Sequence, residues 1–281
     1  MKALESFFDG YRFRSRLEAR WAVFFHTLQI PYSYESEGYD LDGTWYLPDF
    51  WLPEQNCYIE IKPPRQPTKE ECAKASKLAL QSGRDVYILA GDAWQQPPDY
   101  QIWRWAPLKI RSFPQAKSLE QNASTFITPH PKVAVVLQQL LDNDIILSIK
   151  YGHVSLQMLH SCPIPAFGTP SDIGSLEQRA STLSKLAPLL KQYREDLLLA
   201  LTPEAGWRRE VYGQTVSSGF AWAECSACGK IVLSVNRDEV DGDEAYLHQE
   251  CQHPQAGKCN TASPRLLKAY ETARQARYSP N

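Results

Sequence analysis

The chain has 281 residues, 43 % of them hydrophobic and 22 % charged, which excludes a disordered chain and allows two or three folded domains. Its net charge of −2 excludes a uniformly basic nucleic-acid binder but leaves room for a local basic stripe. No apolar run reaches the length of a membrane span and the charged start has no signal-peptide core, so the expectation is a cytoplasmic protein with no membrane contact.

Residues 13–29, "FRSRLEARWAVFFHTLQ", repeat Leu17, Trp21, Phe24, Phe25 and Leu28 at three- and four-residue steps, which predicts a helix with one apolar face ended by Pro31. "PYSYESEGYDL" and "GTWYLPDFWLP" read as extended, and Gln55-Asn56 as a turn. From Cys57 to Lys62 the chain alternates, with Tyr58, Glu60 and Lys62 on one face, until Pro63 and Pro64 end the strand. "TKEECAKASKLALQSG" reads as a helix with a Thr68/Glu71 capping box and a closing Gly83. "RDVYILAGD" is apolar enough for a strand covered on both sides. The order predicts an α/β domain with a mixed sheet over residues 1–115.

Three charges interrupt this apolar hairpin. Asp49 stands on one strand, and Glu60 and Lys62 on its partner. Two carboxylates brought together across a hairpin, with positions left for water, suit Mg²⁺. A lysine beside them orients the attacking water and stabilises charge building on a phosphate, while the metal lowers the pKa of its bound water. Pro48-Asp49 followed by Glu60-Ile61-Lys62 resembles the PD-(D/E)XK motif of restriction-endonuclease-like nucleases. The resemblance implies an αβββαβ core, cleavage of DNA or less often RNA, and Mg²⁺ or Mn²⁺ as cofactor. It also implies Glu18, on the preceding helix, as a third acidic residue at the metal, and a phage, plasmid or transposon setting. Arg14 and Arg16 flank Glu18 and are candidates to meet the scissile strand. The chain departs from an ordinary motif exit at Pro63-Pro64, which stiffens the backbone after Lys62.

Residues 112–131 read as a polar linker. Residues 128–202 form a small α+β module: a helix, a hairpin turning at Tyr151-Gly152-His153, then helical sequence that Pro188 is expected to break. This module loosely resembles TubC-type docking domains, which implies a protein partner. Residues 203–281 hold four clustered cysteines and a basic last helix. Cys225-x-x-Cys228 followed by His248 and Cys251 has zinc-site spacing, with Cys259 as the substitute for His248. A complete Cys/His tetrad leaves no position for water, so this Zn²⁺ is expected to be structural. The reading is a metal-dependent deoxyribonuclease with an interaction module and a zinc-stabilised tail. A non-catalytic nucleic-acid- or protein-binding adaptor on the same fold is the alternative. Cutting both strands of a duplex needs two active sites, which leaves a homodimer open.

Overall fold

The computed structural model describes residues 6–93, 100–114, 125–143, 145–150, 153–158, 176–201, 207–212, 214, 216–235, 246–247, 251 and 258–278. It divides the chain into two compact units, one of 1–78, 84–106 and 216–281 and one of 79–83 and 107–215.

The first unit opens with a short hairpin, β1 (Ser6–Phe8) and β2 (Tyr11–Phe13), and runs into helix α1 (Arg16–Thr27). Ser15 caps α1 by accepting from the Glu18 amide at 3.2 Å. That interaction satisfies one of the helix's orphan donors. Ala19, Trp21, Ala22, Val23, Phe24 and Phe25 are buried along α1. Gln29, at φ 58°, turns the chain out of the helix just before Pro31. Strands β3 (Ser33–Tyr34), β4 (Tyr39–Asp40), β5 (Trp45–Tyr46), β6 (Phe50–Leu52) and β7 (Cys57–Lys62) follow, then α2 (Lys69–Ser82), β8 (Asp85–Ala90) and β9 (Gln101–Trp105).

Strand β6 lies antiparallel between β3 and β7, with Phe50 opposite Ile59 and Leu52 opposite Cys57. Asn56 makes the turn at φ 49°. Strand β8 runs parallel to β7, with Glu60 opposite Ile88, a pairing that requires a crossover, here α2. The capping box at the start of α2 forms: Thr68 N–H donates to Glu71 Oε2 at 2.8 Å and Glu71 N–H to Thr68 Oγ1 at 3.2 Å. Gly83 closes the helix at φ 68°, a left-handed conformation natural to glycine. The architecture is mixed α/β with a mixed sheet, and among the described residues there are six helices.

The second unit contains β10 (Lys109–Pro114), β11 (Thr125–Ile127), α3 (Pro131–Leu141), the hairpin β12 (Ile145–Lys150) and β13 (His153–Met158), α4 (Leu176–Gln192), α5 (Arg194–Leu201) and β14 (Trp207–Tyr212). Strand β10 lies between β11 and β14. The core is made by Val133, Val136, Leu137 and Leu140 of α3 with Leu186, Leu197 and Leu201. Helix α4 runs through Pro188 instead of breaking there, and the break comes at Tyr193. Pro188 is exposed, so the carbonyl it leaves unbonded can take solvent.

The chain then returns to the first unit with β15 (Val216–Ser218), β16 (Phe220–Cys225), β17 (Ile231–Val235), β18 (Tyr246–Leu247), β19 (Lys258–Asn260) and α6 (Pro264–Gln275). Strand β15 extends the main sheet beyond β9, giving the order β15-β9-β8-β7-β6-β3. Strands β17-β16-β19-β18 make a second, antiparallel sheet.

Two domain boundaries differ from those read in the sequence. The N-terminal part of unit one, 1–78 and 84–106, ends at Ala106 and not near 115, because Lys109–Pro114 forms β10, and β11, inside the stretch taken as a linker, pairs with it. The tail is no separate domain from 203. Strand β14 pairs with β10 in the second unit, and the part from Val216 shares the core of the first. Phe220, Trp222, Leu266, Ala269, Tyr270 and Ala273 join Trp21, Phe24 and Phe25 of α1 in one buried cluster. A short cysteine-rich segment has little core of its own, and this shared cluster adds to it. No helix among the described residues is long and apolar enough to cross a membrane.

Candidate active site

Arg14, Glu18, Trp45, Tyr46, Leu47, Asp49, Glu60, Ile61 and Lys62 line one cavity of about 450 Å³. The four residues singled out from the motif, Glu18, Asp49, Glu60 and Lys62, thus share a single wall-to-wall space. Arg14 is at its edge, paired with Glu35. Arg16 is exposed and is not among the lining residues.

Local structure explains each placement. Asp49 precedes β6, and its Oδ2 accepts the Ile61 amide at 2.7 Å across the hairpin. Its own carbonyl accepts the Glu35 amide at 3.0 Å. Asp49 and Glu60 are both buried, at 8 % and 7 % exposure, which is costly for carboxylates without a compensating charge. Burial first, then the charges of Glu60 and Glu18, push Asp49 well above the ordinary carboxylate range, against the opposing pull of Lys62 and the Ile61 amide. Glu60 Oε1 takes the Lys62 ammonium at 2.5 Å. Glu60 Oε2 is buried with no partner in good hydrogen-bond geometry. Burial lowers the Lys62 pKa, but the Glu60 and Asp49 carboxylates outweigh it and leave the group raised. Lys62 is therefore an ammonium at neutral pH.

Glu18 is held differently. Ser15 Oγ donates to its Oε1 at 2.6 Å, and Tyr34 Oη to its Oε2 at 2.5 Å. The Arg14 amide also donates to Oε2, at 3.2 Å. With both oxygens engaged, Glu18 does not close on the other acids. Among the described residues, the one group of three or more ligand atoms all within 4.8 Å of one another is Cys225, Cys228 and Cys251. Glu18, Asp49 and Glu60 share one cavity, and Glu18 is also bonded to the N-cap residue Ser15. The Ser15-x-x-Glu18 spacing is itself a capping-box pattern, a signal the sequence carried.

Three further residues belong to the site. Tyr46 approaches Glu60 as a hydrogen-bond donor, and burial followed by the Glu60 charge drives its phenol pKa upward. Tyr34 orients Glu18. Trp45 is 71 % exposed at the rim, lying where any side chain at Gly38 would collide with its indole. A strand-by-strand reading treats such aromatics as core, so they are visible as site residues only in three dimensions.

In the tail, the thiols of Cys225, Cys228 and Cys251 make a cluster that could hold a metal ion, and none of these is in a disulfide. His248 lies outside the described residues. No protein-family model, no curated protein and no solved structure matches the chain.

Proposed function

We propose that the chain is a divalent-metal-dependent nuclease that hydrolyses DNA phosphodiester bonds in the Asp49–Glu60–Lys62 cavity. The single observation that carries this reading is Glu60 Oε2, a buried and unsatisfied carboxylate oxygen in a cavity that also holds Asp49 and Lys62. A buried polar atom without a partner calls for a water or an ion, and a second acid in the same cavity, Asp49, favours an ion here. A divalent cation would offset the charge repulsion at Asp49 and give Glu60 Oε2 its ligand. Asp49 and Glu60 suit Mg²⁺ or Mn²⁺, which bind through one or two carboxylates and keep most of their waters. Glu18, already fixed by Ser15 and Tyr34, would act on such a water. When bound, the ion would supply an activated water and neutralise phosphate charge. The Lys62 ammonium supports the same charge from the protein side.

The adaptor reading draws on Glu18, whose oxygens are both engaged, by Ser15, the Arg14 amide and Tyr34. Incubation with plasmid and single-stranded DNA in Mg²⁺ or Mn²⁺, beside Asp49→Ala and Lys62→Ala, separates the two. The nuclease reading requires cutting that both substitutions remove while DNA binding persists. Metal-independent binding without cutting would establish the adaptor. The resemblance of residues 128–202 to TubC-type docking domains supports a protein partner there. The tail cysteines are best read as a structural Zn²⁺ site, since sulfur ligands with tetrahedral spacing favour that ion.

A further inference from the structure

We infer that the tail holds zinc through four thiolates, Cys225, Cys228, Cys251 and Cys259, and that the metal clamps α6 against α1. This rests on the zinc reading of the cluster and adds its fourth ligand and its mechanical role.

The geometry starts from the three thiols within 4.8 Å of one another. Cys225 Sγ and Cys251 Sγ are 3.7 Å apart. A tetrahedron with zinc–sulfur bonds of about 2.3 Å has edges of about 3.8 Å. The turn at Cys228-Gly229 has the hydrogen bonds of a metal-holding knuckle. Gly229 N–H donates to Cys225 O at 2.8 Å, and Cys225 N–H to Lys230 O at 2.9 Å. Gly229 has φ 69°, and the Lys230 amide donates to the Cys228 sulfur. Such amide–sulfur bonds orient and stabilise a ligating thiolate.

The fourth corner follows from strand register. Cys259 on β19 lies directly opposite Cys225 on β16, outside the group of three thiols that already lie within 4.8 Å of one another, so closing on an ion draws its side chain in toward Cys225. Directly opposed residues of an antiparallel pair hold their Cβ atoms about 4.5–5.5 Å apart, close enough to share one ion.

The clamp follows from what is attached. Ser263, only four residues beyond Cys259, caps α6 by accepting the Leu266 amide at 3.3 Å. Arg265, in the first turn of α6, donates to Glu224 Oε1 and to Gly229 O, each at 2.8 Å. Those two residues adjoin Cys225 and Cys228, so the knuckle and α6 are tied at both sides of the metal corner. Farther along α6, the Tyr270 ring packs on Phe24 of α1 with centroids 4.7 Å apart, and its hydroxyl meets that of Tyr100 at 2.6 Å. Metal loss releases β19 and the start of α6, and with them one wall of the α1 core.

The test uses the full chain. Metal analysis of the purified protein, His248→Ala and Cys259→Ser should give one zinc per chain in the first two and loss of most zinc in the third. Should Cys259→Ser fail to fold, the cobalt(II)-substituted wild type decides on its own, by showing the d–d absorption of an all-sulfur tetrahedron. Zinc bound with the spectrum of a mixed nitrogen–sulfur site, or lost in His248→Ala and kept in Cys259→Ser, overturns the four-thiolate site while leaving zinc in place. No zinc, or a Cys225–Cys259 disulfide by mass, overturns the zinc reading itself. For the clamp, chelation should lower the melting temperature reported by the buried Trp21 and Trp222. Unchanged tryptophan melting in zinc-depleted protein contradicts it.

Discussion

The Lys62 ammonium lies 2.5 Å from Glu60 Oε1, while the other oxygen of the same carboxylate is buried without a partner. Strand β7 places both side chains on one face, two residues apart, so the ammonium meets one carboxylate oxygen and leaves the other without a hydrogen bond. The remaining half-satisfied carboxylate, beside a protonation-prone Asp49, is what makes the cavity a cation site in the proposed reading.

Lys62 should matter more for rate than for binding. Removing a preorganised charge-stabilising donor from an active site typically costs about 10²–10³ in rate. Lys62→Ala is expected to lose cleavage by about that factor with DNA affinity little changed. Lys62→Arg should recover little, because the guanidinium is bulkier and planar. Cleavage rates at saturating DNA measure both.

Asp49 gives a pH-dependent signature. Its folded pKa is raised by burial, then by the Glu60 charge. A carboxyl raised on folding contributes stability that is full below its unfolded pKa, about 3.9, and is lost as pH rises through the folded value. Without divalent metal, Asp49→Asn should therefore melt higher than wild type at neutral pH, and the gap should close in acid. Each 1 kcal/mol is about 2–4 °C for a unit of this size. Mg²⁺ should raise the wild-type melting temperature and leave Asp49→Asn unmoved. Thermal melts across pH, with and without Mg²⁺, check both halves.

Tyr46 is a positioning residue. It reaches Glu60 and not the substrate phosphate in this account. Groups that orient a metal ligand typically cost about 10–100-fold when removed. Tyr46→Phe should lower cleavage by that order and raise the Mg²⁺ concentration needed for half-maximal rate. An unaltered Mg²⁺ dependence would assign Tyr46 to packing alone.

Glu71 sets an acid limit on α2. Hydrogen bonding from Arg65, then from Thr68, overcomes the opposing effect of burial and holds its carboxyl down at about 2, against an ordinary 4.5. A depressed carboxyl contributes stability above its unfolded pKa that disappears as pH falls through the folded one. Glu71→Gln should therefore destabilise at neutral pH, with the difference vanishing between about pH 4.5 and 2. Thr68→Ala should cost about 1 kcal/mol, the usual worth of an N-cap. Denaturant titrations at several pH values measure both.

Much of the first unit was legible in the chain because its signals are local. The apolar spacing of Trp21, Phe24 and Phe25 marks α1. Thr68, Glu71 and Gly83 mark both ends of α2, and Asp49, Glu60 and Lys62 stand out as charges in an apolar hairpin. What could not be read depends on distant pairing. The strand β10 pairs with β14, about a hundred residues on, and no local pattern reveals that. Tyr270 reaches Tyr100 and Phe24, which joins the tail to the first unit although its cysteines suggest an independent module. The choice between His248 and Cys259 is also a matter of register. Spacing favours the histidine near Cys251, whereas the facing position of Cys259 and Cys225 appears only when strands are paired. Glu18 was visible as an acid, and its bond to the N-cap was written in Ser15 three residues before it.

Manganese binding tests the central claim most directly. Electron paramagnetic resonance of the purified chain titrated with Mn²⁺ reports free ion, and so counts ions held. One Mn²⁺ bound per chain in wild type, with that binding lost in both Asp49→Asn and Glu60→Gln and retained in Lys62→Ala, is the expected result. Equal Mn²⁺ binding in all four proteins would place the metal elsewhere and contradict the account.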